Sequence, residues 1–161
     1  MRFNLIEFLF NSYLRGGTVS SQEQNLKNLG LTMLFGSIYD WVVAALTLLF
    51  PNFVTLFGVP YPKDLMYFRF GGLLMLVLPF FYLLGYIQTK RNIAVVPSAI
   101  IVRGIGFLFL TLHSLLLEES PFWALFGFAD LLFGALHYCF LKRSGYTFRN
   151  ALLGKSEKDV F

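Results

Sequence analysis

A chain of 161 residues leaves room for one domain, and with 57% hydrophobic, 19% aromatic and only 14% charged residues it lies far from the soluble balance, in which about a quarter of residues are charged. The single cysteine, Cys139, excludes an intramolecular disulfide, a CxxC redox pair and a cysteine-based zinc site; it reads as a small buried hydrophobe. The net charge of +4 is a matter of membrane topology and anionic headgroups, because no motif for binding nucleic acid accompanies it.

From Arg2 to Arg15, the positions Asn4, Glu7, Asn11 and Arg15 fall at helical spacing on one face, and Phe3, Leu5, Ile6, Phe8, Leu9, Phe10, Tyr13 and Leu14 cover the rest. Glu7 interrupts the apolar run that a cleavable signal needs, and no small-x-small cleavage site follows. Residues 1–28 are therefore expected to form an amphipathic helix lying in the membrane interface, with Gly16 to Gln24 as a flexible link. A docking helix for a partner subunit is the alternative.

Four membrane spans follow. The first runs from about Leu29 to Phe50 and stops at Pro51; the second runs from about Tyr67 to Ile87, ahead of Lys90 and Arg91. The stretch Phe70 to Thr89 holds twenty residues without one charge, the length an α-helix needs to cross a hydrocarbon layer of roughly 30 Å. Between these spans the segment Pro51 to Pro62 is too apolar for free solution, with Phe53, Val54, Leu56 and Phe57, and is expected to fold back on the bundle as a cap. The third span begins near Ile93 or Pro97 and reaches Leu117, closed by Glu118 and Glu119. Ser120 and Pro121 open the fourth as a hydroxyl N-cap followed by proline at the first helical position, and Lys142 and Arg143 end it. The fold class is all-α, a four-helix integral membrane bundle over residues 29–143, with a short basic tail at 144–161 that is expected to be loosely ordered.

An even number of spans puts both termini on one side. That side collects Arg2, Arg15, Lys27, Lys90, Arg91, Lys142, Arg143, Arg149, Lys155 and Lys158, against Lys63 and Arg69 on the other and Arg103 inside a span. The positive-inside rule makes both termini cytoplasmic.

The polar residues within the spans carry what chemistry there is. Asp40 lies ten residues before Phe50 and Asp130 nine after Pro121, each about 13 to 15 Å from the outer boundary at 1.5 Å per residue. Arg103 is at about 21 Å on the same ruler. A charge at mid-membrane costs roughly 2.5 to 3.5 kcal/mol on insertion scales, so such residues face the bundle and find each other. The helical phase agrees. Met33, Gly36, Asp40, Ala44 and Thr47 share a stripe of the first span, and Trp123, Gly127, Asp130, Gly134 and His137 share one of the fourth. Arg103, Gly106, Leu110 and His113 line up on the third, and Met75, Pro79, Tyr82 and Tyr86 on the second; small residues beside polar ones mark faces where membrane helices meet. A buried cluster of Asp40, Arg103 and Asp130 is expected, with Tyr82, His113 and His137 near its edges. Two carboxylates face one guanidinium, so a proton, or a hydrogen bond from a histidine or tyrosine, is needed to balance the second. Arg103 has a second option, snorkelling toward the cytoplasmic end of its own helix. No metal or cofactor is expected: the paired Glu-x-x-His motif of bundle metal sites is absent, and the glycine pairs lack a phosphate-loop context.

The chain resembles small bacterial four-helix membrane proteins of DoxX-like architecture. The likeness rests on Tyr39-Asp40, the segment Pro51 to Gly58 ending Leu56-Phe57-Gly58, then Pro60, Arg69-Phe70-Gly71-Gly72, Arg103 and the run Asp130-Leu131-Leu132-Phe133. It covers about Leu29 to Leu141 and implies a bacterial cytoplasmic membrane protein with no established reaction. A second resemblance, to the emopamil-binding or EXPERA proteins, implies general acid/base work on a sterol-like ligand. Asp40, Asp130 and His137 would then be the acid/base groups, with Trp41, Tyr82 and Trp123 as pocket wall; the chain has one span fewer than that bundle and lacks its Glu pair.

Three readings follow: a non-enzymatic accessory subunit that binds a membrane partner or a second copy of itself, a binder of a lipid-like or other apolar small molecule, and an intramembrane acid/base enzyme or proton-coupled carrier. The first two are favoured, because the chain has no nucleophile motif, no cofactor motif and no inverted repeat of the kind common in carriers.

Overall fold

A computed structural model describes residues 20–116 and 120–155; the expected interfacial helix, Arg2 to Arg15, lies outside them. Among the described residues there are four long helices, α1 (Ser21–Leu49), α2 (Leu65–Ile87), α3 (Val95–Leu116) and α4 (Phe122–Arg143). A 3₁₀ helix, Pro51–Phe57, joins α1 to α2, and a short helix α5 (Phe148–Leu152) follows α4. All four long helices are apolar and long enough to cross a membrane. At 1.5 Å per residue the 22 residues of α3 or α4 reach about 33 Å, enough for the hydrocarbon layer. Phe35, Val42, Phe80, Ile105, Phe109, Leu125, Phe128 and Leu132 project outward from the bundle, an arrangement that water would oppose and acyl chains accept. The chain is a polytopic membrane protein.

The 29 residues of α1 span about 44 Å, more than the layer requires. The excess lies at its start, where Ser20 caps the helix by accepting from the Glu23 N–H and Gln22, Glu23, Gln24, Asn25 and Lys27 supply a polar first turn and a half. The helix therefore begins inside the stretch expected to be a flexible link. A serine N-cap followed by good helix formers outweighs the Gly and Ser content that suggested a loop. Asp64 does the same for α2, accepting from Met66 and Tyr67 N–H at 3.0 and 3.1 Å. At the start of α4, Ser120 Oγ accepts from Phe122 N–H at 3.3 Å, with Pro121 between them.

The bundle consists of two closely packed hairpins, α1 with α2 and α3 with α4, joined through the α1–α4 contact, while α2 and α3 touch far less. Glycines set the close approaches within the first hairpin. A Cβ added at Gly72 would lie 2.9 Å from Thr47 Cγ2, and one at Gly85 would lie 2.8 Å from Met33 Cε. Pro79 inside α2 removes one ladder donor, and α1 supplies side-chain donors to that stretch: Ser37 Oγ donates to the Pro79 carbonyl at 3.2 Å and Trp41 Nε1 to the Leu76 carbonyl at 3.2 Å.

Each end of the bundle has its own apolar core. At the end away from the termini, Val54 of the 3₁₀ helix is fully buried and packs with Val59 and Phe122, and the Phe57 ring stacks on Phe122 at 4.3 Å. Gly58 ends that turn in the left-handed region (φ 74°), which is open to glycine at little cost. At the terminus end, Leu29, Met33, Ile93, Val96 and Leu141 pack with Tyr146 and Ala151. Tyr146 and Ala151, in the part of the expected tail that is described, are thus core residues. Gly145 turns the chain (φ 82°), Thr147 Oγ1 caps α5 by accepting from Asn150 N–H, and Asn25 Nδ2 of α1 donates to the Arg143 carbonyl. Cys139, expected to be buried, is exposed on the outward face of α4, where acyl chains replace protein as its surroundings.

A candidate ligand site: a buried ion triad at the floor of an intramembrane cavity

Arg103 on α3 joins both acids. Its Nη1 and Nη2 donate to Asp40 Oδ1 and Oδ2, each at 2.8 Å, a matched fork on α1. Nη1 also donates to Asp130 Oδ1 on α4, and Nη2 to the Gly36 carbonyl at 3.2 Å. Four donors of the guanidinium are in use, and among the described residues the buried Nε–H has no partner. The backbone explains how the groups meet. The Arg103 Cβ lies 3.4 Å from where a Cβ would stand on Gly134, so Arg103 is level with Gly134, and Asp130 lies one turn nearer the start of α4. The Arg103 side chain therefore extends toward the C-terminal end of its own helix, opposite to the snorkelling direction. Coulombic pairing in a low-dielectric interior outweighs the weak lean of helical side chains toward the N-terminus.

Two glycines make the space. At Gly106 the Asp130 carboxylate occupies the place a Cβ would take, and at Gly36 an added Cβ would come 3.2 Å from Arg103 Nη2. Three rings enclose the guanidinium, with Cζ to centroid distances of 5.1 Å for Tyr82, 5.2 Å for Phe133 and 5.8 Å for Tyr39, within the range of cation–π attraction. Asp40 and Arg103 are each 3% exposed. Burying such a pair is costly, and the fork plus the additional acceptors offset the desolvation.

Tyr82 stands beside the triad, as its phase implied. His137 is fully buried near Gly36 and Phe133; among the described residues neither ring nitrogen has a partner within hydrogen-bond geometry, and it makes no bond to the second carboxylate. His113 sits one turn from the end of α3, stacked on Phe109 at 5.6 Å, away from the triad. Trp123 lines the cavity described next, whereas Trp41 is engaged with Leu76 and Phe80. Among the described residues, no group of three His, Cys, Asp or Glu side chains is placed to hold a metal ion.

A cavity of about 550 Å³ opens above the triad. Its floor is Asp40, Arg103 and Asp130 with Tyr39 and Tyr82; its walls come from α2 (Tyr67, Gly71, Leu74, Met75, Leu78) and α3 (Val102, Gly106, Phe109, Leu110), and Phe53, Trp123 and Phe126 close the far end. The cavity exists because α2 and α3 diverge, and Leu74 and Phe109, which line it, are also exposed on the lipid-facing surface. Sequence phase gave Tyr82 but not Tyr39, Phe133 or the α2–α3 gap. The adjacency Tyr39-Asp40 and the three-residue spacing of Asp130 and Phe133 were the available signals; helix divergence leaves none.

Comparison with protein-family models, curated proteins and solved structures gives no match, so the DoxX-like and EXPERA resemblances rest only on the residues that suggested them.

Proposed function

We propose that this protein binds an apolar small molecule that enters from the bilayer between α2 and α3. The observation that carries the reading is the cavity itself. It has the size of a small-molecule site, roughly 300–1,000 Å³, its walls are apolar, and a few polar groups converge at one end. That combination fixes the orientation of a ligand while its bulk stays among hydrocarbon walls. An accessory-subunit role would be served by the helix faces alone and gives the cavity no purpose. The termini are taken as cytoplasmic, in a bacterial inner membrane, on the distribution of basic residues.

Gly71 offers a clean test. It lines the cavity, and a Cβ added there meets no other atom within 4 Å. Gly71→Trp should fill the space without touching the triad. Native mass spectrometry of the protein released from mild detergent should show a bound small molecule on the wild type and its loss from Gly71→Trp at unchanged melting temperature. Equal ligand occupancy in the two proteins would refute the site.

A further inference from the structure

The two acids of the triad are not equivalent, and their difference lies at the cavity. Asp40 uses both oxygens on Arg103, and its side chain is 4% exposed. Asp130 gives one oxygen to Arg103, its side chain is 16% exposed, and among the described residues its Oδ2 has no hydrogen-bond partner. When both acids are ionised the two carboxylates and one guanidinium carry one formal negative charge, and Asp130, the less compensated acid, lies in the cavity wall, where a proton or a cation must balance it. Arg103, nine-tenths buried in the same wall, keeps an Nε–H without an acceptor. The floor keeps an open acceptor at Asp130 Oδ2.

Resting on the binding reading above, we propose that the ligand is a single-chain amphiphile with a cationic, hydrogen-bond-donating head that pairs with Asp130 while its chain lies along α2 and α3. A cavity of about 550 Å³ holds one aliphatic chain with a small head, not the two chains and large headgroup of a phospholipid. An ammonium at Asp130 Oδ2 brings the formal charge of the floor to zero. An anionic head would set like charges side by side in a poorly screened place. A neutral alcohol could donate to Asp130 but would leave the charge uncompensated.

Three probes of equal chain length separate these heads: dodecylamine, dodecanol and dodecanoate. They are added at equal membrane mole fraction to the full chain in nanodiscs at neutral pH, and occupancy is read by native mass spectrometry. The wild type should take the amine roughly tenfold more tightly than the alcohol, the difference a charge-assisted hydrogen bond gives, and the carboxylate least. Asp130→Asn should abolish the preference for the amine and keep the alcohol; Gly71→Trp should lose all three. Equal binding of the three heads by the wild type, or an amine preference that survives Asp130→Asn, overturns the head assignment while leaving the cavity reading intact if Gly71→Trp still blocks binding. Binding of none of the probes overturns both. Should Asp130→Asn not fold, the wild-type ranking of the three heads decides alone.

Discussion

Arg103 and Asp40, 63 residues apart in the chain, meet as two forks, each terminal nitrogen 2.8 Å from one carboxylate oxygen. Asp130 touches the same guanidinium through one oxygen only. Removing one partner of a buried pair leaves an uncompensated charge, at about 3–5 kcal/mol. Arg103→Leu, which leaves two acids facing each other, should therefore lower the melting temperature in detergent strongly; Asp40→Asn keeps Asp130 as the counter-charge but breaks both bonds of the fork, and should lower it more than Asp130→Asn does. Asp130→Asn, with one bond and partial exposure, should cost about 1–2 kcal/mol. Thermal unfolding of the three variants checks the order; an Asp130 substitution as damaging as that of Asp40 would contradict it.

Gly104 and Gly106 are two residues apart and differ in kind. A side chain at Gly104 meets nothing within 4 Å, whereas at Gly106 the Asp130 carboxylate fills the position. Gly104→Ala should be neutral or raise stability by up to about 1 kcal/mol, because alanine is the better helix former. Gly106→Ala must push Asp130 off Arg103 and should cost about 1–3 kcal/mol. Melting curves of the two variants, measured in parallel, give the comparison.

Much of this was legible because a membrane makes sequence patterns blunt. A charge inside an apolar run is expensive, so Asp40, Arg103 and Asp130 had to converge, and helical phase supplied the faces. Boundaries were legible where a proline or a basic pair stops a span, as at Pro51 and Lys142-Arg143. Local capping was harder to weigh: Ser20 and Thr147 each start a helix in segments whose Gly, Ser and charged content reads as loop. Cys139 was placed wrongly because apolar residues on a span divide between protein and lipid, and hydrophobicity does not say which. The α2–α3 gap had no signature at all, since its walls are the same Leu, Met and Phe that face lipid elsewhere.

Tyr146 and Ala151, beyond α4, belong to the core, which leads to a prediction about residues 144–155. Ala151 is fully buried against the terminus-end cluster. Ala151→Glu would bury an unpaired carboxylate and should destabilise by several kcal/mol, visible as loss of the monodisperse peak in size-exclusion chromatography. Lys155→Ala, at an exposed position just beyond α5, should elute unchanged.

Topology can be read by labelling. Cys139 is exposed on the surface of α4, so Cys139→Ala should be tolerated and give a cysteine-free background. A cysteine placed at Lys155 should react with a membrane-impermeant maleimide only after cells are opened, and one at Lys63 should react in intact cells. The reverse pattern would invert the orientation drawn from the basic residues.

The most direct measurement is an experimental structure of the protein in a lipid nanodisc, at a resolution that shows side chains and bound lipids. It should show elongated density between α2 and α3, ending within hydrogen-bond distance of Asp130, with the Asp40–Arg103 fork intact beneath it. Closure of α2 against α3, with Gly71 and Gly106 packed together and no space above the triad, would contradict the account.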